Sequence, residues 1–250
     1  MEKIMFNDFF GLTDAVLAKQ KTMTRRSSKS LQDDIAALAE GFRVDSLSPE
    51  AIEEEMQKPK FKQKVKAMEP ALIQMNAKYK VGEVVAIAQS YLQVHNTNPE
   101  LIPDWLPSKK SKSGFVHWDE HPGYSNKMFV SADLMPHQIR ITGIKVERLQ
   151  DISEEDCRKE GIIHVNWRQY LKQDIDDFGP QRYKDHDLWT LPIFEESLQN
   201  AWAEQKPGEF AANDPKTALI VLFAKLAHRQ PTAFAHENPW VLAYDFELVK

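Results

Sequence analysis

The sequence predicts an α+β protein: a small, mostly antiparallel sheet or barrel with helices packed against it. Three observations lead there. Residues 138–149 and 240–248 alternate apolar and polar side chains with the period of a strand. Leu31, Ile35, Leu38 and Phe42, and later Ala218, Leu219, Leu222, Phe223 and Leu226, recur with the period of a helix. Between such segments lie irregular stretches, among them 96–123, which is rich in proline, serine, lysine and asparagine and reads as a long loop or an insertion.

In chain order, residues 3–6 are short and apolar enough for a strand. Asn7 or Asp8 can then cap a helix carrying Phe9, Phe10, Leu12, Val16 and Leu17, which should stop near Gln20. Ser48-Pro49-Glu50 opens another short helix, with proline in the first turn and an acid at the positive dipole end. From Lys58 to Lys66 lysine alternates with Pro59, Phe61, Gln63 and Val65, and a strand, an exposed edge and a charged arm all fit. A turn at residues 79–83 leads into the apolar run 84–91, read as a buried strand, and 127–130 reads as a short strand. Within 138–149 the apolar phase changes after Thr142-Gly143, so a bulge at Gly143 would keep one face buried. Ser153-Glu154-Glu155-Asp156 has the form of a capping box whose helix Gly161 ends. A helix is expected near 194–202, another begins at Asp214-Pro215, and the final strand should have one buried and one wetter face.

Composition narrows the function classes. A hydrophobic fraction of 42% and 10% aromatic residues can build a core, and the mean hydropathy of −0.51 is that of a soluble chain. No stretch is apolar for the ~18 residues a membrane span needs, and the N-terminus lacks a signal pattern. A formal charge of −5 argues against a general nucleic-acid coat protein. The single cysteine, Cys157, excludes an intramolecular disulfide and a multi-cysteine zinc site. A cytoplasmic protein is the expectation.

The chemistry concentrates in Lys21-Thr22-Met23-Thr24-Arg25-Arg26, where three cations and two hydroxyls fall within six residues. Arginine offers a planar fork of donors and lysine a point charge, so the run suits a phosphate or carboxylate. Arg26 is the favoured anion contact and Arg25 the second. The same run can hold a nucleophile, if Lys21 is kept neutral enough to take the Thr24 proton. A solvated basic turn is the alternative. In a regular strand residues 21 and 24 point to opposite faces, so the pair meets only if the chain bends after Lys21.

The order of these pieces carries a family resemblance. Lys-Thr-x-Thr-Arg-Arg at 21–26 follows a helix, Tyr79-x-Val81-Gly82-Glu83 precedes a strand, and Met135-Pro136 leads into Arg140-Ile141. The run from Val146 through Ser153 to Glu160-Gly161, and Asn238-Pro239-Trp240-Val241 opening the last strand, complete the pattern. The chain resembles the ASCH-domain proteins of phages and prophages, whose fold is a PUA-like β-barrel. The resemblance implies a single domain over 1–250, with insertions at about 27–78, 95–126 and 163–213. It implies recognition of RNA or of a modified nucleoside or nucleotide, with Thr22, Arg25 and Arg26 as ligand contacts. A small bacterial relative removes the acetyl group from the exocyclic amine of cytidine. Carried over, its catalytic set falls on Lys21, Thr24 and Glu160, with Glu160 holding the lysine or passing a proton to the leaving amine. A phage-encoded interaction protein without catalysis is a further expectation. Phage relatives usually carry glycine and arginine where this chain has Lys19 and Gln20, and an arginine–glutamate pair where it has Ala88 and Gln89.

Other candidates read as structural. His117-Trp118-Asp119-Glu120-His121 lacks the spacing of a helical zinc site, so no metal and no cofactor is expected. Cys157 reads as a small packing residue, and Arg140 and Arg148 as surface strand residues, the latter beside Glu147 and Asp151. Trp105, Trp118 and Tyr124 are the candidates for base stacking.

Overall fold

The computed structural model describes residues 1–40, 49–101, 121–165, 188–191, 212, 214–228, 231, 235 and 237–249. Its strands are β1 (Lys3–Ile4), β2 (Met23–Arg26), β3 (Val84–Ile87), β4 (Gln138–Arg148), β5 (Ile163–Val165), β6 (Leu188–Thr190) and β7 (Trp240–Leu248). Its helices are α1 (Leu12–Leu17), α2 (Lys29–Glu40), α3 (Pro49–Gln57), α4 (Pro59–Asn76), α5 (Tyr91–Thr97), α6 (Glu154–Lys159) and α7 (Pro215–Leu226). None of these helices is long and apolar enough to cross a membrane.

The α+β class is present, but the sheet is open, which corrects the expected PUA-like β-barrel. Five strands run in the order β1-β3-β4-β7-β2, with β1 parallel to β3 and the other pairs antiparallel. Closure would require β1 to pair with β2, and neither edge has a second strand neighbour among the described residues. At two residues, β1 offers too short a ladder to bridge them. A side chain crosses the gap instead: Arg26 Nη2 donates to the Met5 carbonyl at 2.7 Å. A separate ribbon pairs β5 with β6.

β4 and β7 form the centre, and their register slips between Ile141 and Gly143, where Thr142 has no partner on β7. That is the bulge the phase change required, and it keeps Ile139, Ile141 and Val146 buried. α2 and α4 cover one face through Phe61 against Trp240 and through Gln32, whose amide donates to the Trp240 carbonyl and accepts its N–H (2.6 and 3.1 Å). α6 covers the other face. Sandwiching makes residues 240–244 of β7 buried on both sides, and the expected wetter face survives only near Asp245 and Glu247.

Several local expectations are corrected. The alternating 58–66 segment is the start of α4, because Phe61, Val65 and Leu72 form a buried stripe and Pro59 occupies the first turn. Residues 127–130 form a 3₁₀ turn over Lys127–Phe129, capped by Asn126 accepting from the Met128 N–H at 2.9 Å. β3 ends at Ile87, since Ser90 and Gln93 make a capping box that starts α5. Phe9 is exposed, in the turn before α1. Arg148 is buried, not a surface residue: it donates to the Asn238 carbonyl (2.7 Å) and lies over the Trp240 ring. The helix expected at 194–202, Phe42, Trp105, Trp118 and His117 lie outside the described residues.

Candidate functional site

The Lys21–Arg26 run is delivered by the way α1 ends. Lys19 adopts a left-handed backbone (φ 58), its N–H donates to the Val16 carbonyl (3.0 Å), and the Gln20 N–H to that of Ala15 (2.9 Å). This is a Schellman stop, with lysine at a position that favours glycine. The chain then bends, and Thr22 docks by donating its N–H to the Lys159 carbonyl (2.8 Å) and accepting from the Phe246 N–H (2.9 Å). From Met23 it pairs with β7, Arg25 opposite Ala243 and Thr24 opposite Tyr244.

This geometry divides the run between two places. Lys21 and Arg25 meet at one carboxylate. The Lys21 ammonium donates to the Glu160 side chain and to the Glu160 carbonyl (2.9 Å), while Arg25 Nη1 donates to Glu160 Oε1 at 3.0 Å. Arg25 also donates to Glu147 Oε1 from Nε and Nη2 (2.9 and 2.6 Å) and to Asp156 Oδ2 (3.3 Å). Lys145 closes the cluster against Asp156 (2.6 Å) and Glu147 (3.2 Å). Three cations thus face three carboxylates in a largely buried network.

α6 and its C-cap supply two of those carboxylates, Asp156 and Glu160. Ser153 Oγ accepts the Asp156 N–H at 3.1 Å, and acids in the first turn match the positive dipole end. Gly161, at φ 97, ends the helix; a side chain there would start 3.5 Å from Lys21 Cβ.

Burial is the largest influence on Lys21 and pushes its pKa below the usual lysine value; Glu160 opposes this, and the Arg25 and Arg26 charges reinforce it. Arg25 moves the other way, as burial is outweighed by Glu160 and Glu147. Burial would raise Asp156, but its hydrogen bond from Lys145 and the surrounding cations hold it below the usual carboxylate range. Burial pushes the Cys157 thiol up to about 12.

Thr24 and Arg26 stand in the opposite strand phase and line a cavity of about 560 Å³. No hydrogen bond joins Thr24 to Lys21 among the described residues. Phe6 and Leu12 from the N-terminal segment, and Phe223 and Leu226 from α7, make the cavity apolar, while Lys127 adds a second cation. Lys127 is already engaged, by Asp8 (2.7 Å) and by the Phe6 carbonyl. Arg26 has no carboxylate partner among the described residues, and its Nε is buried without a hydrogen bond.

The structure therefore brings Lys21, Arg25 and Glu160 together and sets Thr24 and Arg26 at the cavity, with Thr22 holding backbone contacts to α6 and β7. Glu147, Asp156 and Lys145 were not singled out from the sequence as members of the site. Their only local signal was that Lys145 and Glu147 share a strand phase and that Asp156 stands one helical turn before Glu160. Glu147, placed beside Arg148 in the sequence reading, serves Arg25 instead. Among the described residues no group of three or more His, Cys, Asp and Glu side chains is arranged to hold a metal ion. Compared with protein-family models, with curated proteins and with solved structures, the chain matches none.

Proposed function

We propose that the chain binds an anionic, nucleotide-like ligand, such as a nucleotide or part of an RNA, in the cavity beside Arg26. The observation that carries this reading is the contrast between neighbours: Glu160, Glu147 and Asp156 neutralise Arg25, whereas Arg26 lines the cavity with no carboxylate partner among the described residues. An arginine with free donors beside an apolar wall suits a phosphate attached to a flat, weakly polar group. Calorimetric titration with the four ribonucleoside monophosphates and a short single-stranded RNA tests it. Saturable binding that weakens with salt, and about tenfold or more in Arg26→Ala, supports the reading. Binding indifferent to Arg26→Ala, or none across the panel, sinks it.

Hydrolysis of cytidine acylated on its exocyclic amine is the second reading, favoured by the Thr24 hydroxyl at the cavity. Thr24 Oγ would take the acyl group, cytidine would leave with a proton on its amine, and water would then release the acid. Lys21 spends its donors on Glu160, so binding without turnover is the better supported of the two. Release of cytidine from its acetylated form, lost in Thr24→Val, would reverse that order.

A further inference from the structure

Among the described residues β2 has no strand beyond it on the side away from β7, and its register shows which main-chain groups lie along that edge. The Phe246 N–H donates to the Thr22 carbonyl, so residues 22 and 246 are a hydrogen-bonded pair. In an antiparallel ladder bonded and unbonded pairs alternate, so Thr24–Tyr244 and Arg26–Leu242 are bonded as well. Met23 and Arg25 fall between them and turn N–H and C=O outward, away from β7. β2 is the last strand of the sheet, and no hydrogen bond among the described residues engages the main chain of Arg25 from that side.

Arg25 also lines the cavity, yet its side chain is 0% exposed and is held by Glu147 of β4 and by Asp156 and Glu160. Its contribution to the cavity is therefore its main chain. One residue's outward N–H and C=O form a donor beside an acceptor. Met23, the other outward residue, is 1% exposed and is not among the lining residues. Among the described residues the part of this edge that reaches the cavity is thus one residue long, Arg25, which is 3% exposed, too short to add a peptide strand, which needs successive pairs. It is long enough for a single planar group.

We infer that the cavity reads the edge of a heteroaromatic base, one with a ring acceptor next to an N–H donor, through the N–H and C=O of Arg25. The apolar side chains Phe6, Leu12, Phe223 and Leu226 pack on the base and Arg26 takes the attached phosphate. This rests on the nucleotide-binding reading and specifies which part of the ligand is selected and by what. Recognition through main chain leaves no side-chain signature in the sequence.

The test uses the intact chain, ¹⁵N-labelled, titrated with cytidine and adenosine 5′-monophosphates, ribose 5-phosphate, cytidine 5′-monophosphate dimethylated on its exocyclic amine, and an acetylated tetrapeptide amide. The expected result is that the two nucleotides bind about tenfold or more tightly than ribose 5-phosphate or the dimethylated nucleotide. Exchange of the Arg25 amide slows only with the two nucleotides. Equal binding of ribose 5-phosphate with an unmoved Arg25 amide overturns the inference while leaving an anion site at Arg26. Peptide binding that protects the Met23 and Arg25 amides together overturns it in favour of strand addition. Silence across all five ligands removes the nucleotide reading and this inference with it.

Discussion

The Lys21 ammonium and the Glu160 carboxylate form an ion pair in which the side chains are 1% and 2% exposed. Each charge has left water, so neither tolerates loss of the other. Arg25 leans on the same carboxylate, which makes Glu160 the pivot between α6 and the start of β2.

Glu160→Gln should therefore cost about 3–5 kcal/mol, because it leaves two buried cations facing a neutral amide. Urea unfolding followed by circular dichroism measures it. The double variant Lys21→Met/Glu160→Gln should recover part of that loss, since Arg25 keeps Glu147 and Asp156. A single-variant loss below about 1 kcal/mol would mean the charges are not coupled.

Arg25 and Arg26 are adjacent and should behave oppositely. Arg25→Ala leaves Glu147, Asp156 and Glu160 with only Lys145 and Lys21 to neutralise them in a largely buried cluster, and should cost about 3–5 kcal/mol. Arg26→Ala gives up one hydrogen bond to the Met5 carbonyl and should stay within about 1.5 kcal/mol of the parent. The same unfolding experiment compares them, and similar losses would contradict the division of the run.

Lys19→Gly should stabilise the chain by about 1 kcal/mol, because the left-handed backbone at residue 19 is strained for a side chain and free for glycine. Lys19 is exposed, so nothing else is given up. An unchanged or lowered unfolding midpoint would show that unfolded-chain entropy cancels the relief.

Cys157 sets an alkaline limit. Its thiol is raised from 9.0 to about 12 in the folded chain, chiefly by burial. Above pH 9 the unfolded chain releases this proton and the folded chain keeps it, so stability is full below 9 and falls as pH rises toward 12. The slope approaches about 1.4 kcal/mol per pH unit. Cys157→Ala should flatten this part of the stability profile between pH 9 and 11, measured against the parent. Parallel profiles would refute it.

What could be read in the sequence was local. The Gly143 bulge followed from a change of apolar phase, the Ser153 and Asp214 caps from side chains acting within three residues, and both appear as expected. Local reading went astray at 58–66, where charged residues at every second position hid the Phe61–Val65–Leu72 stripe of a helix. It also over-extended β3 through the cap at Ser90.

The sequence by itself determined the α+β class, the placing of β4 and β7, and the concentration of charge at residues 21–26, whereas the strand over Met23–Arg26 came only with the structure. Tertiary structure alone decided that the sheet stays open, that Lys21 and Arg25 turn to Glu160, and that Thr24 and Arg26 turn to the cavity. The reason is distance along the chain. Strand parity can be counted within a run, but the carboxylates that select one phase lie 122 to 139 residues away, and only the fold brings them within reach of one another.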